Sequence, residues 1–243
     1  MNISSLIKCK YIDLSTLHKR YFIMPANPAT GILYITENSP DFISGHIRLR
    51  GKHHGRYPFH YLEMIDYIFG QEENIIEVCS GSVMGNCFTV DINPDTEPDL
   101  VADGQKLDGI PNSKFSRWRC DPPYNTRTAK EMYGTDLPRT IELLKAGARV
   151  CKVGSLMFLL LGPKNYQWHP SGLKRIGYIN MTVVPNNECR CLNIYYKFEN
   201  RLSMYINSQY PYITFADIYI RSKNSAIDYF QIPRFIQGLR LSC

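Results

Sequence analysis

Several features that mark other classes of protein are missing from this chain of 243 residues. No apolar run reaches the roughly 18 residues that a membrane-spanning helix needs, and the N-terminus has no apolar signal-peptide core. No internal repeat or low-complexity tract is present, which argues against a solenoid or a disordered tail. With 44% hydrophobic and 21% charged residues, the chain is predicted to be a globular, cytoplasmic protein. If it came from a mobile element, the compartment would be the host-cell cytoplasm.

The eight cysteines do not form a recognisable metal-binding or disulfide pattern. There is no CxxC pair and no Cys/His spacing typical of zinc ligands. Most of them lie in apolar runs, where a reduced thiol packs as a small hydrophobe. Cys189 and Cys191 alternate on a predicted strand, so they share a face without forming a ligand set. We therefore expect a reducing compartment and no metal site.

The chain as a whole has a net charge of +6, and its positive charge is concentrated at the two ends. Residues 1–60 carry eight Lys and Arg against three Asp and Glu, and residues 201–243 carry five against two. The middle of the chain is slightly acidic, with fifteen against seventeen. This distribution is typical of a protein that binds a polyanion through its ends, although a solvated surface would give the same counts.

Strands and helices alternate through the middle of the chain, which predicts an α/β sheet. The predicted helices cover 58–69, 126–133 and 137–150, and the predicted strands cover 74–79, 87–94, 99–104 and 155–161, with a hairpin at 177–184 and 189–198. Gly81 and Asp91 are only 10 residues apart, which is short for a crossover between parallel strands. Either the first crossover is shortened to a loop, or one of the two strands is misassigned.

The tetrapeptide Asp121-Pro122-Pro123-Tyr124 has the composition needed to hold a ring amine. Two prolines after an aspartate place a carboxylate and a backbone carbonyl on a stiff backbone that offers no N–H of its own. Two such acceptors bind both hydrogens of an exocyclic amine and direct its lone pair at an electrophile. The tyrosine offers a flat face on which an extruded base stacks. A proline-rich turn after a strand is the alternative.

This tetrapeptide resembles motif IV of the DPPY amino-methyltransferases, enzymes dependent on S-adenosylmethionine (SAM) that include DNA adenine-N6 and cytosine-N4 methyltransferases. The resemblance covers about residues 74 to 198 and implies a Rossmann-like SAM methyltransferase sheet with a C-terminal antiparallel hairpin. It implies a methyltransferase domain at 58–200, between a basic extension at 1–57 and a Tyr-rich appendage at 201–243. The implied catalytic residues are Asp121, Pro122, Pro123 and Tyr124.

The acids that end successive strands supply the implied cofactor site. An acidic strand followed by a small-residue turn, Glu77 to Gly81, resembles the family's first motif, and Asp91 would accept from the ribose hydroxyls. Asp103 would accept from the adenine amine, although each acid could instead be a turn or cap residue. The resemblance thus implies that SAM contacts Glu77, Cys79, Ser80, Gly81, Asp91, Ile92, Asp103 and Asp121.

A basic, glycine-punctuated loop is predicted at residues 48–56, just before the main domain. The predicted nucleic-acid contacts are Arg48, Arg50, Lys52, His53 and Arg56, together with Asn125. A solvated turn would explain the loop equally well. The function implied is methyl transfer to an exocyclic base amine, with adenine N6 in DNA favoured over an RNA base. A non-catalytic SAM-binding or nucleic-acid-binding subunit remains a second reading. No target-recognition domain is visible, so a homodimer or a specificity partner stays open.

Overall fold

In the computed structural model, the described residues are 11–14, 19–24, 30–36, 39–50, 57–58, 61–83, 85–163, 166–184 and 188–198. The chain divides into two compact units, Met1–Glu199 and Asn200–Cys243. The second unit, which contains the predicted appendage, lies outside the described residues, as do Lys52, His53 and Arg56. No helix in the described part of the chain is long and apolar enough to cross a membrane.

The described residues form one mixed sheet of eleven strands with three α-helices. The strands are β1 Tyr11–Leu14, β2 Lys19–Met24, β3 Thr30–Thr36, β4 Ser39–Arg50, β5 Ile75–Val78, β6 Phe88–Asp91, β7 Leu100–Val101, β8 Phe115–Cys120, β9 Cys151–Leu161, β10 Leu173–Val184 and β11 Glu188–Lys197. The helices are α1 Tyr61–Phe69, α2 Thr126–Tyr133 and α3 Thr140–Val150. Across the sheet, the strand order is β1-β2-β3-β4-β10-β11-β9-β8-β5-β6-β7.

The centre of the sheet is parallel and the C-terminal hairpin is inserted into it. Strands β5 to β9 pair in parallel, whereas β11 lies antiparallel between β9 and β10. From β5 the chain moves outward to β6 and β7, then returns to place β8 on the other side of β5. This confirms the predicted fold class, a Rossmann-like α/β sheet with an antiparallel hairpin. The reversal between β5 and β8 is the switch point at which such sheets bind ligands.

The first crossover is shortened, as one of the two alternatives predicted. β5 and β6 are parallel neighbours with Val78 opposite Val90, and the described part of the link between them contains no helix. The chain reverses through two residues with positive φ, Cys79 at 54° and Gly81 at 52°. The Gly81 N–H then donates to Oδ2 of Asp91 at 2.8 Å, which closes the loop onto the end of β6. Both strand assignments are therefore correct.

Helices cover both faces of the sheet. One core cluster joins α1, through Met64 and Ile65, to strand residues such as Phe158. The other joins α3, through Leu144, to residues that include Trp118. All these side chains are fully buried, and each contributes about 1.5–3 kcal/mol by leaving water. Burial on both faces explains why β9 reads as a continuous apolar run.

Two local predictions were wrong. Arg48 and Arg50 belong to β4 and not to a loop, because the backbone there pairs in parallel with Thr182 and Val184 of β10. The third helix starts at Thr140 and not at residue 137. That helix begins after Arg139, which makes no side-chain capping bond.

Candidate active site

A cavity of about 550 Å³ lies at the carboxyl ends of the central parallel strands. This volume is within the range of small-molecule and cofactor sites. The loops after β5, β6, β7 and β8 all contribute to its wall. The lining includes these sequence-predicted residues: Cys79, Ser80, Gly81, Asp91, Ile92, Asp103, Asp121, Pro122, Pro123, Tyr124 and Asn125.

The Asp121–Tyr124 turn follows β8 directly and presents two acceptors. The Tyr124 hydroxyl donates to Oδ1 of Asp121 at 2.5 Å. Among the described residues, no donor bonds the other carboxylate oxygen, Oδ2, or the carbonyl of Pro122. Gly162 packs against Tyr124, because a Cβ added there would lie 3.4 Å from the Tyr124 Cβ. The Tyr124 ring is thus held by Asp121 and Gly162, and all four residues of the turn line the cavity.

The surroundings of the Asp121 carboxyl group shift its pKa. Burial raises its pKa from 3.8 to about 6, and the Glu77 carboxylate acts in the same direction. The Arg190 guanidinium and the hydrogen bond from Tyr124 both oppose that rise in the pKa. At neutral pH the group is therefore mostly ionised.

Asn125 begins the helix that leaves the turn. Its side-chain oxygen accepts from the Thr128 backbone N–H at 2.8 Å, so it is the N-cap of α2. The cap satisfies one of the free N–H groups at the helix start. Asn125 also lines the cavity, and its predicted contact with nucleic acid stays a prediction.

The loops after β6 and β7 bring two further carboxylates to the cavity. Asp91 accepts from the Gly81 N–H at 2.8 Å and from the Asn93 N–H at 2.9 Å. Asp103 accepts from the Gln105 N–H at 2.9 Å. Each carboxylate has about four acceptor positions, so both keep capacity for a ligand's donors. Ile92, with 49% of its surface exposed, offers an apolar face beside them.

Glu77 was expected to line the cavity, but it is not among the lining residues. Its side chain is fully buried, and its Oε2 accepts from Nε of Arg119 at 2.6 Å. The Tyr57 hydroxyl donates to its other oxygen. Burial raises the pKa of Glu77, and the adjacent Arg119 opposes that rise. The expectation of a direct cofactor contact through this carboxylate is therefore corrected: both of its oxygens are bound within the protein.

Sequence reasoning missed Arg190, Cys189 and Tyr57, which all line the cavity. Arg190 and Cys189 are brought there by the insertion of β11 beside β9, and no local pattern shows which end of the hairpin meets the turn. Tyr57 precedes α1 and contacts Glu77. The cavity lining as a whole combines the acceptors of Asp121 and Pro122, an aromatic ring and two acidic loop ends. Within the described ranges, no group of three or more His, Cys, Asp or Glu side chains converges as metal ligands would.

No protein-family model and no curated protein matches the chain. Among solved structures, TrmN from Thermus thermophilus is similar at 12% identity and a TM-score of 0.37, over 52% of this chain and only 44% of its own length. A mutant 16S rRNA (adenine(1408)-N(1))-methyltransferase from Catenulisporales acidiphilia, with cosubstrate SAM, is similar at 10% identity and a TM-score of 0.35, over 53% of this chain and 86% of its own.

A third structure concerns the conversion of a disulfide bond into a thioacetal group during echinomycin biosynthesis. It is similar at 11% identity and a TM-score of 0.37, over 59% of this chain and 82% of its own. Likeness of this extent assigns no activity, so the function proposed below rests on the chain's own geometry.

Proposed function

We propose that this protein is a SAM-dependent methyltransferase that acts on an exocyclic amine of a nucleic-acid base, with adenine N6 in DNA as the favoured target. One observation carries the proposal. The Asp121–Tyr124 turn, at the end of β8, opens into the same cavity as the acidic ends of β6 and β7. This arrangement supports a site for the amine next to a site for a nucleoside-type cofactor, at the switch point of the sheet.

The residues of the cavity fit SAM. Asp91 and Asp103 have acceptor capacity for ribose hydroxyls and for an adenine amine, and Ile92 provides an apolar surface for a flat ring. The turn Cys79–Gly81 brings backbone close to the ligand. Gly104 lets the loop after β7 pack closely against β5, because a Cβ there would lie 2.6 Å from Val78 Cγ1. Bound here, SAM would supply a methyl group on a positively charged sulfur.

The chain's own groups prepare the amine for attack. Oδ2 of Asp121 and the Pro122 carbonyl each accept one amine hydrogen, which draws the nitrogen toward tetrahedral geometry and aims its lone pair. Transfer of the methyl group from SAM would form the nitrogen–carbon bond as the sulfur–carbon bond breaks, with its electron pair left on sulfur. The methylated nitrogen then loses one of its original hydrogens as a proton. Asp121, with a pKa of about 6, receives that proton and passes it to water. Tyr124 supplies a stacking surface for the base.

The topology places part of the predicted basic segment at the same edge as the cavity. β4 runs parallel to β10, so Arg48 and Arg50 lie at the carboxyl end of the sheet. Tyr57, which follows the segment in sequence, lines the cavity. The positive charge of Arg48 and Arg50 at the edge where a nucleic acid would have to bind supports a polyanionic substrate.

The test is methyl incorporation from labelled SAM into duplex DNA, single-stranded DNA and structured RNA, followed by nucleoside mass analysis of the product. We expect N6-methyladenine in DNA, and its loss in Asp121→Ala. Asp95→Ala, an exposed aspartate outside the cavity lining, is the matched control and should keep its activity. Undiminished methylation in Asp121→Ala would refute the role of the turn. Methylated nucleoside found in RNA alone would show that the substrate is an RNA base and not DNA.

A non-catalytic SAM-binding or nucleic-acid-binding subunit is the second candidate. It is favoured by the crossover after β5, whose described part lacks the usual helix. Calorimetry with SAM, with and without an oligonucleotide, distinguishes the two readings. We expect binding in both states. Binding of nucleic acid without binding of SAM would favour the second candidate.

A further inference from the structure

Arg190 lies against both of the residues that the proposed reaction uses in the turn. It comes from the start of β11, lines the cavity and has 16% of its side chain exposed. One guanidinium nitrogen is 3.9 Å from Oδ2 of Asp121, and the guanidinium carbon is 5.1 Å from the centre of the Tyr124 ring. A single cation therefore faces the carboxylate and the aromatic ring together.

The separation of 3.9 Å between Arg190 and Asp121 gives the two carboxylate oxygens different roles. It is too long for a hydrogen bond, so Arg190 does not occupy Oδ2, yet it is short enough to favour the ionised carboxyl group. Oδ1 is occupied by the Tyr124 hydroxyl at 2.5 Å. Oδ1 thus fixes the ring, while Oδ2 keeps its lone pairs for an incoming N–H beside a positive charge.

We propose that Arg190 is a positioning residue that holds Asp121 as a carboxylate, with Oδ2 open to the target amine, and holds the Tyr124 ring through a cation–π contact. The positioning role of Arg190 rests on the proposed methyl transfer. The contacts of Arg190 with Asp121 and Tyr124 exist in the free protein, however, and can be tested there. A cation over a tyrosine ring is attracted to the negative face of its π-system. Arg190 therefore links the C-terminal hairpin to the catalytic turn.

The other groups around Asp121 do not take over this role. The titratable groups that interact with it are Tyr124 in its own turn, Glu77 from β5, Arg190 from β11, Tyr57 before α1, Tyr61 at the start of α1, Tyr133 from α2, and Cys120. Glu77 raises the pKa of Asp121, and among the described residues Arg190 is the cation that lowers it. The tyrosines and the cysteine are neutral near pH 7, and burial raises their pKa values further.

The test follows the Asp121 carboxyl titration by carbon NMR in the full chain, with the signal assigned from Asp121→Asn. Arg190→Gln should move the titration midpoint upward by about one pH unit, because an adjacent cation lowers a carboxyl pKa by about that much or more. Arg190→Lys keeps the charge and should restore most of the shift. Arg175→Gln is the matched control, since Arg175 also lies over a tyrosine ring, Tyr178 at 5.3 Å, but outside the cavity lining.

An unmoved midpoint in Arg190→Gln, or an equal shift in Arg175→Gln, would overturn the proposal. In the methylation assay, the acidic limb of kcat/KM should shift upward with the titration. A higher KM for nucleic acid with no change in the midpoint would identify Arg190 as a phosphate contact and would also overturn it. If the unaltered protein transfers no methyl group, the proposed function fails, while the titration still decides the role of Arg190.

Discussion

Arg119 donates from Nε to Oε2 of Glu77 at 2.6 Å, across the neighbouring strands β8 and β5. Both side chains are almost completely buried. The pair joins the two strands at the switch point, immediately behind the turn that carries Asp121. We therefore expect Glu77 to support the site through the sheet and not through contact with a ligand.

Glu77→Gln should destabilise the protein strongly. It leaves the Arg119 charge buried without its counter-ion, which costs about 3–5 kcal/mol. Urea unfolding measures the loss. The exposed pair of Arg127 and Glu131 supplies the control, and Glu131→Gln should cost less than about 0.5 kcal/mol. SAM affinity measured below the unfolding transition should change little in Glu77→Gln. A large loss of affinity at unchanged stability would restore the direct cofactor role for this carboxylate.

Asp121→Asn should stabilise the protein while abolishing methyl transfer. The raised pKa of about 6 means that the folded state disfavours ionisation. The carboxyl group therefore destabilises the fold fully above pH 6, and this effect disappears below about pH 4. The expected gain is about 2–3 kcal/mol near pH 8, at roughly 1.4 kcal/mol for each pH unit by which the pKa is raised. Thermal unfolding at pH 8 and pH 4 measures the difference.

Asp99→Asn is the control of opposite sign for that experiment. Hydrogen bonds from the Thr89 N–H and hydroxyl, both at 2.8 Å, lower the pKa of Asp99. Its ionised form contributes stability above the unfolded pKa, and that contribution is lost as the pH falls. Asp99→Asn should therefore weaken the fold at pH 8. A gain for both variants would show that general surface charge, and not burial of Asp121, is responsible.

Gly104→Ala should weaken SAM binding. A Cβ at this position would lie 2.6 Å from Val78 Cγ1 and 3.3 Å from Leu143 Cδ2, so the loop after β7 must move at the cavity wall. Overpacking of this kind costs about 1–3 kcal/mol of stability. Gly147→Ala is the matched control, since its Cβ would lie 2.8 Å from the Trp118 ring, outside the cavity lining. Both variants should unfold more easily, but calorimetry should show weaker SAM binding only for Gly104→Ala.

Replacing the basic segment should reduce the salt dependence of nucleic-acid binding. With Arg48, Arg50, Lys52 and Arg56 changed to Ala, the slope of log affinity against log salt should fall by about 0.9 for each duplex DNA phosphate that the protein no longer neutralises. Fluorescence anisotropy across a salt series measures the slope.

Lys114 and Lys152 provide the control for the basic segment. They lie at the amino ends of β8 and β9, the edge opposite the cavity. Their replacement by Ala should leave the slope unchanged. An unchanged slope in the four-residue variant would remove the basic segment from the interface.

Much of the fold was accessible from local patterns. Helix α2 was predicted with its observed limits, Thr126–Tyr133, and the residues that cap it, Asn125 and Gly134, adjoin it in the sequence. The short crossover between Gly81 and Asp91 was visible as a spacing conflict, and the hydrogen bond between those two residues resolves it. The basic residues Arg48 and Arg50 were placed in a loop because strand pairing with β10 depends on a distant partner.

By itself, the order of residues determined the turn Asp121–Tyr124, the acids that end the strands and the alternation of helices and strands, because these depend on spacing of a few residues. Only the tertiary structure decided how the carboxylates are used. It closed Glu77 onto Arg119 and brought Arg190 to Asp121 from a strand inserted between two others. These two contacts depend on pairing between distant strands and on the loss of water on burial. Neither can be predicted from the residues of a single short segment.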